Sequence, residues 1–307
     1  MSIEIIFLGT AASIPTSSRA LPSVALLRKG ELFLFDCGEG TQRQMIKAQI
    51  GFNRKTLVLV THMHGDHVLG LAGLLQTMSL LGRNKLLRIY GPIGIKAFVD
   101  ALIQTVRFSL IFPIEIHEIG FEDLILEEKE YSLHATMAEH SVPSLAYALV
   151  EKERPGRFHP ERAVSLNIPE GPSWYNLQQG LQIKLPNGHI VKPEDVLDSP
   201  RSGRKIVYVG DTAPSENIAN FAKGADALIH EATFSDDMID RAEEDKHSTP
   251  SGAAEIARKA ETKLLILTHI SARYGETDTM LQQAKKIFAD ARIAEDFMRV
   301  EIPLREE

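Results

Sequence analysis

The chain has 307 residues, of which 44% are hydrophobic and 24% charged, a balance that predicts one large folded domain over residues 1–307 with insertions. The formal net charge of −7 does not predict a nucleic-acid partner, which would need a local basic surface, and the single cysteine, Cys37, excludes an internal disulfide and a four-thiolate zinc site. Neither a signal peptide nor a bilayer-spanning apolar run is recognised, so we expect a cytoplasmic protein without membrane contact.

Short apolar runs bounded by glycine or polar residues recur along the chain and predict buried strands. They cover residues 3–8, 32–35, 57–60, 86–90, 206–209, 227–229 and 264–267. Helical patterns lie between them, at residues 68–81, 216–223, 251–260 and 279–288. Gly224 suits the C-terminal end of the second helix, and Thr249 and Pro250 provide an N-cap and a first-turn proline for the third. This mixture of strands and helices predicts a layered α/β fold.

Residues 155–204 interrupt this rhythm. Prolines and glycines break the segment repeatedly, and no strand-length apolar run is found in it. Such a composition is typical of an insertion that projects from a core. We therefore expect residues 151–204 to form an inserted arm and the loop that follows it.

A cluster of histidines directly follows the predicted strand at 57–60. His62 and His64 lie two residues apart, so they project to the same side of an extended segment. Asp66 and His67 come after a bend that Gly65 permits. Three imidazoles and one carboxylate within six residues suit a divalent cation, and their burial without one would be costly. The alternative is a polar turn with chance histidines, and the agreement of spacing and strand context favours the metal site.

Three further ligand candidates follow other predicted segments. His140 ends the alternating segment 131–139, Asp211 follows strand 206–209, and His269 follows strand 264–267. An aspartate in such a position is by itself more often a turn residue. Because sites collect at the carboxyl ends of strands in open α/β sheets, the repetition indicates that these side chains join the first cluster.

Together these candidates comprise five histidines and two aspartates, enough for two metal ions with open positions for water and substrate. Two ions can clamp a phosphate oxygen, and zinc lowers the pKa of bound water to roughly 7. We expect Asp211 to bridge the ions. Asp66 can bind one of them and also hold the attacking water or accept its proton.

Motifs along nearly the whole chain resemble the ribonuclease Z family, the tRNA 3′-processing endonucleases of the metallo-β-lactamase superfamily. They are Phe7-Leu8-Gly9-Thr10, Phe35-Asp36-Cys37-Gly38-Glu39-Gly40-Thr41-Gln42, the histidine cluster, Tyr90-Gly91-Pro92, Gly210-Asp211-Thr212, His230-Glu231-Ala232-Thr233, His247-Ser248-Thr249 and Leu267-Thr268-His269-Ile270-Ser271. The histidine cluster is specific only to the superfamily, whereas the motifs at 230–233 and 247–249 resemble ribonuclease Z more narrowly.

The resemblance implies an αβ/βα four-layer sandwich with an inserted flexible arm. It also implies a homodimer, precursor tRNA as the partner, and two Zn²⁺ per chain, with Mn²⁺ or other divalent ions as substitutes. It assigns one metal to His62, His64 and His140, the other to Asp66, His67 and His269, and Asp211 to both. The implied reaction removes the 3′ trailer of the precursor by phosphodiester hydrolysis and leaves a 3′-hydroxyl on the tRNA.

The resemblance suggests that His247 and Glu231 also act in catalysis. A histidine can protonate a leaving alkoxide near neutral pH if a carboxylate holds its ring and stabilises its charged form. The alternative for His247 is an ordinary surface histidine. We interpret His230 as structural, Cys37 as a buried small residue and Asp36 as a side chain that supports the ligands. Four other histidines match no metal position: His117, His134, His159 and His189.

The arm is expected to grip the tRNA, with Arg154, Arg157 and Arg162 contacting phosphates. Glutamates stand among these arginines, so a solvated mixed-charge loop is the alternative. Near the start of the chain, many relatives carry a Pro-x-Lys-x-Arg-Asn or Pro-Thr-x-x-Arg-Asn loop that is associated with rejecting tRNAs already ending in CCA. Here Arg19 is kept and can contact a phosphate or base edge, but Ser17 and Ala20 replace the basic residue and the asparagine.

Three rival functions use the same fold. A hydrolase of this superfamily acting on a small ester or phosphodiester would use the same ligands, but the arm and the Glu231 and His247 motifs disfavour it. A non-catalytic RNA-binding or assembly protein has no need of a full ligand set. A flavin-linked di-iron oxidoreductase would be expected to carry a glutamate where His64 stands.

Overall fold

The computed structural model describes residues 2–121 and 123–305. The strands in these residues are β1 (Ile3–Gly9), β2 (Ala11–Ala12), β3 (Ser23–Arg28), β4 (Glu31–Phe35), β5 (Lys55–Leu59), β6 (Leu87–Pro92), β7 (Ile114–Ile119), β8 (Leu124–Glu127), β9 (Tyr131–Ala138), β10 (Ser144–Glu151), β11 (Ile183–Lys184), β12 (Ile190–Val191), β13 (Lys205–Val209), β14 (Ala227–Glu231), β15 (Leu265–Thr268), β16 (Ile270–Ser271), β17 (Ala291–Ile293) and β18 (Arg299–Ile302).

The helices alternate with these strands. They are α1 (Thr41–Lys47), α2 (Gly65–Val68), α3 (Leu71–Leu80), α4 (Ile95–Val106), α5 (Pro160–Ser165), α6 (Pro172–Gln178), α7 (Glu216–Phe221), α8 (Ile239–Asp245), α9 (Pro250–Lys259) and α10 (Asp278–Lys285), with 3-10 turns at Pro193–Asp195 and Asp236–Met238. None of the helices in the described part of the chain combines the length and the apolar composition needed to cross a bilayer.

The chain falls into two compact units. The larger one comprises Met1–Glu128, Ser132–Val150 and Lys205–Pro303, and the smaller one comprises Lys129–Tyr131, Glu151–Arg204 and Leu304–Glu307. Among the described residues of the larger unit, two seven-stranded sheets have the orders β18-β1-β3-β4-β5-β6-β7 and β17-β15-β14-β13-β10-β9-β8. Strands β4 to β7 are parallel, and so are β13, β14, β15 and β17.

Alternation of side chains along the strands produces the layers. In β4, Leu32 and Leu34 belong to an apolar cluster with helices α1, α3 and α4, whereas Phe35 faces the second sheet and stacks on Tyr208 with ring centroids 4.9 Å apart. In β13, Val207 and Val209 pack with α7, α9 and α10. Each sheet therefore buries one face under helices and the other against its partner sheet, which confirms the four-layer αβ/βα sandwich.

The expected helix at 68–81 begins at Leu71 in the structure, as α3, and a separate short helix, α2, ends at Val68. The break falls at Leu69 and Gly70, where the Gly70 amide donates to the Cys37 carbonyl at 2.9 Å. A Cβ at Gly70 would lie 2.0 Å from the Gly38 carbonyl oxygen, so the chain needs glycine for this close approach. The turn packs the segment with His62 to His67 against the residues that follow β4.

Helix α4 was not predicted, although Ile95 and Val99 are buried with the four-residue spacing of a helical face. The cap at Thr249 is confirmed, since its side chain accepts a hydrogen bond from the Gly252 amide at 3.2 Å.

The smaller unit has its own apolar core. It contains α5, α6 and the β11–β12 hairpin around Ala163, Leu177 and Val191. Trp174 packs its ring near Phe158, with centroids 5.2 Å apart. Near the two ends of segment 151–204, the backbones of Arg154 and Arg201 pair through hydrogen bonds of 2.9 and 2.8 Å, and Glu151 forms a buried ion pair with Arg204.

Candidate metal centre

The first group of ligand candidates, four residues, converges from three segments of the larger unit. His62 and His64 follow β5, His140 follows β9, and Asp211 follows β13. His62 Nε2 lies 3.0 Å from His64 Nδ1, and His140 Nε2 lies 3.4 Å from the same atom. One ligand atom from each of the four residues lies within 4.8 Å of the others, a spacing that can hold one cation.

A second group lies beside the first. His67 Nε2 is 3.3 Å from His269 Nε2, and Asp66 Oδ2 is 3.5 Å from each of these nitrogens. The two oxygens of Asp211 are divided between the groups, because Oδ2 lies 3.6 Å from His62 Nε2 whereas Oδ1 lies 3.2 Å from His269 Nε2. The arrangement suits a carboxylate shared by two cations.

Asp36 holds the ligand segment in place through hydrogen bonds. It is buried, has a φ of 56°, and accepts hydrogen bonds from His67 Nδ1 at 2.8 Å and from the Thr61 amide at 2.7 Å. The Tyr208 hydroxyl of the opposite sheet donates to the same carboxylate at 2.9 Å. A non-glycine residue in the left-handed region is uncommon and is retained where the surroundings fix it.

The residues fit divalent cations. Nδ1 of His62, His67, His140 and His269 faces Thr61 Oγ1, Asp36, the Lys246 carbonyl and Thr233 Oγ1, respectively. An imidazole that donates Nδ1–H to such an acceptor presents the Nε2 lone pair on its other side. Asp211 Oδ1 is buried and has no hydrogen-bond partner among the described residues, as expected of an oxygen that serves a cation.

The charges of the cluster favour cations as well. Burial lowers the pKa of His67, but the carboxylates of Asp36, Asp211 and Asp66 outweigh it and raise that pKa to about 10. The same negative potential that keeps a proton on this ring attracts a metal ion, which competes with protons for the ring nitrogen.

Glu231 and His247 form a hydrogen-bonded pair next to the cluster. His247 Nδ1 donates to Glu231 Oε1 at 2.7 Å, and the His247 ring stacks against that of His269 with centroids 5.8 Å apart. Burial lowers the pKa of His247, but Glu231 outweighs it and raises that pKa to about 9. Burial raises the pKa of Glu231, but His247 and neighbouring donors outweigh it and lower that pKa to about 2. The pair is therefore a buried carboxylate beside a charged imidazole.

Thr233 is a site residue that was not singled out from the sequence. Its hydroxyl donates to Glu231 Oε2 at 2.8 Å and accepts from His269 Nδ1 at 2.8 Å. The sequence signal that could have identified Thr233 is its position in the motif at residues 230–233. His247 also lies within ligand distance of Asp211 and His269, but its Nδ1 is already engaged by Glu231.

The remaining histidines have other surroundings. His230 is buried and donates Nδ1–H to the Glu231 carbonyl at 2.8 Å, whereas His117 stacks on Tyr90 with centroids 4.6 Å apart. His134 contacts Asp123 and His159 contacts Asp198. Among the described residues, none of these, nor His189, belongs to a ligand group.

The arginines expected to bind substrate differ in their environments. Arg19 donates Nη1–H to Thr10 Oγ1 at 2.8 Å and to the Ala294 carbonyl at 2.7 Å, so this side chain anchors its own loop. In the smaller unit, Arg157 and Arg162 are exposed. Arg154 keeps Nε and Nη2 buried and without a hydrogen-bond partner among the described residues, and burial and Arg201 lower its pKa.

The chain matches known proteins over different spans. A family model described as beta-lactamase superfamily domain matches residues 196–270, and one described as anti-Pycsar protein Apyc1 matches residues 3–97. Ribonuclease Z of Methanosarcina acetivorans is 45% identical over 306 residues, which cover 99% of this chain and 100% of that relative. Ribonuclease Z of Myxococcus xanthus is 44% identical over 306 residues, with 99% of each chain covered.

Solved structures agree with this similarity. Human tRNase Z, short form, has a TM-score of 0.73 and 30% identity, with 98% of this chain and 100% of that chain covered. The metallo-beta-lactamase fold protein YhfI from Bacillus subtilis has a TM-score of 0.68 at 18% identity, with coverage of 98% and 99%. At that identity the second similarity shows the fold alone.

Proposed function

This chain belongs to the ribonuclease Z family, and we propose that it is a zinc-dependent endoribonuclease that removes the 3′ trailer of precursor tRNA and leaves a 3′-hydroxyl on the tRNA. The observation that carries the proposal is the hydrogen-bonded pair Glu231–His247 beside two ligand groups, in a chain that matches ribonuclease Z along its length. The family implies a divalent metal, and the chemistry of the donor set is compatible with one.

We assign one cation to His62, His64 and His140 and the other to Asp66, His67 and His269, with Asp211 shared. When bound, two zinc ions, or manganese in their place, supply a positive clamp for a phosphate oxygen and lower the pKa of bound water. Histidine and carboxylate donors without cysteine suit zinc and also admit other divalent ions.

Asp66 orients the attacking water and receives its proton. The Ser13 amide donates to Asp66 Oδ2 at 2.9 Å, which fixes the carboxylate. Burial raises the pKa of Asp66, but His269 and His67 outweigh it and hold that pKa below its usual value, so the group is ionised at neutral pH. It can therefore accept a proton at Oδ1 or Oδ2 as the water oxygen bonds to phosphorus.

His247 donates the proton that the leaving oxygen needs. With Nδ1 held by Glu231, Nε2 of the charged ring is the atom that can release a proton. The bond between phosphorus and the 3′ oxygen of the tRNA breaks, the proton moves to that oxygen, and the phosphate stays on the 5′ end of the trailer. The negative charge of Glu231 stabilises the imidazolium before the transfer.

The segment 151–204 is proposed to be the arm that binds tRNA away from the bond that is cut. Its exposed Arg157 and Arg162 are the proposed phosphate contacts, whereas Nε and Nη2 of Arg154 are buried. We also propose a cytoplasmic homodimer as the working form, in keeping with the family resemblance.

The proposal is tested by incubating the metal-loaded protein with a 3′-extended precursor tRNA and mapping both product ends. We expect one cut at the mature end, a 3′-hydroxyl on the tRNA and a 5′-phosphate on the trailer. Asp211→Ala serves as the inactive control. Absence of any cut by the loaded protein contradicts the proposal, and hydrolysis of a small phosphodiester alone would favour the rival small-substrate hydrolase.

A further inference from the structure

A polar cavity of about 350 Å³ lies in the larger unit, between the loop at residues 15–21, helix α1 and the pair Asp296–Phe297. The same loop leads directly to the metal centre. Ser13, two residues before the first lining residue, donates its amide to Asp66 Oδ2 at 2.9 Å. Two residues span less than about 8 Å, so the loop end of the cavity lies close to Asp66.

The floor of the cavity is already hydrogen-bonded. Asp296 accepts from the Thr10 hydroxyl, the Ala20 amide and Gln44 Nε2 at 2.8, 2.8 and 3.0 Å. Arg19 is held by Thr10 and Ala294. These groups shape the floor and leave little capacity for a ligand.

Two basic side chains of α1 remain available to bind a ligand. Arg43 and Lys47 lie one helical turn apart, both are exposed, and neither forms an ion pair with a described residue. Glu39 also lines the cavity as an exposed carboxylate, so the exposed side chains carry a net charge of about +1 in a chain whose formal charge is −7. A local excess of positive charge on an acidic protein attracts an anionic ligand.

An aromatic ring lies at the rim. Phe297 is 37% exposed and has a φ of 68°, a backbone region that bulky residues rarely adopt. Its amide donates to the Phe7 carbonyl at 2.7 Å, which holds the backbone in place. Lys47 Nζ lies 5.6 Å from the ring centroid, so the cation and the ring are presented together.

We propose that this cavity is a nucleotide subsite for the single-stranded RNA beside the bond that is cut, with the base on Phe297 and the phosphate on Arg43 and Lys47. Stacking on an aromatic ring next to basic side chains is how proteins bind single strands without reading their sequence. The inference rests on the proposed function. The bound nucleotide comes either from the trailer or from the unpaired end of the tRNA, which have the same chemistry.

The test compares the double variant Arg43→Ala/Lys47→Ala with the matched control Lys85→Ala/Lys286→Ala, which removes two exposed lysines outside the cavity. Cleavage of precursor tRNA by the metal-loaded proteins is measured at several salt concentrations. We expect the double variant to raise KM about tenfold. It should also reduce the slope of log affinity against log salt by about 0.7, because the two cations are proposed to neutralise one phosphate of a single strand. Phe297→Leu should raise KM about fivefold with an unchanged slope, since it removes stacking and no charge.

Two substrates identify the source of the nucleotide. A loss with a nucleotide trailer but not with a methyl group in its place on the phosphate that is attacked assigns the subsite to the trailer, and an equal loss on both assigns it to the tRNA end. If the wild type cleaves and the double variant keeps the KM and salt slope of the control, the subsite is wrong while the proposed function stands. If the loaded wild type does not cleave, the proposed function itself fails.

Discussion

The buried carboxylate of Glu231 links His247 to His269. One oxygen accepts from His247 Nδ1 at 2.7 Å, and the other accepts from Thr233, whose own oxygen accepts from His269 Nδ1 at 2.8 Å. A proposed proton donor and a proposed metal ligand are thus oriented by the same side chain. A substitution at His247 or His269 should therefore alter the hydrogen bonding of Glu231.

His247→Ala should lower kcat on precursor tRNA by about 100-fold or more, because a general acid contributes on this scale. Both metals should stay bound, which elemental analysis checks. His117→Ala, at a histidine that stacks on Tyr90, is the matched control. If turnover is unchanged while the metal is retained, His247 has no catalytic role.

Glu231→Gln should behave like His247→Ala, since an amide cannot stabilise the imidazolium. The two residues act as a unit, so Glu231→Gln/His247→Ala should lose little more than either single variant. Multiplied losses in kcat would show that the residues act independently.

Metal content should approach two ions per chain in protein purified without chelators. Asp211→Ala should lower it most, because each Asp211 oxygen faces a different ligand group. His134→Ala, whose ring contacts Asp123, should leave it unchanged. A single tightly bound ion, with no second on titration, would contradict the dinuclear centre.

Replacing residues 155–200 by an Asn-Gly turn should abolish tRNA cleavage and spare hydrolysis of bis-p-nitrophenyl phosphate. Arg154 and Arg201 already pair as antiparallel backbone, so a two-residue turn can join them. Binding remote from the metals serves only the large substrate. Equal loss on both substrates would mean that this segment is needed for the fold of the centre.

Cys37 should resist alkylation in the folded protein at neutral pH. The side chain is fully buried, and burial raises the pKa of its thiol to about 12, so thiolate is scarce. Modification by iodoacetamide, followed by mass spectrometry, should become fast only in denaturant. Rapid labelling of the native protein would show that the segment between β4 and α1 opens readily.

Discrimination against CCA ends should be weak in the natural protein and stronger in Ala20→Asn. Ala20 already uses its amide on Asp296, so only a new side chain can add hydrogen bonds for the 3′ nucleotides. The measurement compares two precursors that differ only in CCA after the discriminator base. Complete rejection of CCA by the natural protein, unaltered in the variant, would refute this prediction.

The sequence by itself determined the chemistry of the site. His62, His64, Asp66 and His67 could be recognised because ligand spacing within one short segment is local, and a strand followed by a glycine bend fixes where such side chains point. His140, Asp211 and His269 were recognised only as polar residues after strands. Residue type, local periodicity and strand ends are properties that a sequence carries directly.

Only the tertiary structure decided how these residues are paired and supported. The division of the Asp211 oxygens between two groups and the contact of Tyr208 with Asp36 join residues far apart in the chain, and no local pattern encodes such distances. The break between α2 and α3 likewise depends on the Gly38 carbonyl lying against Gly70. Packing of the two sheets sets these contacts, because close-packed layers leave each strand end little freedom to shift.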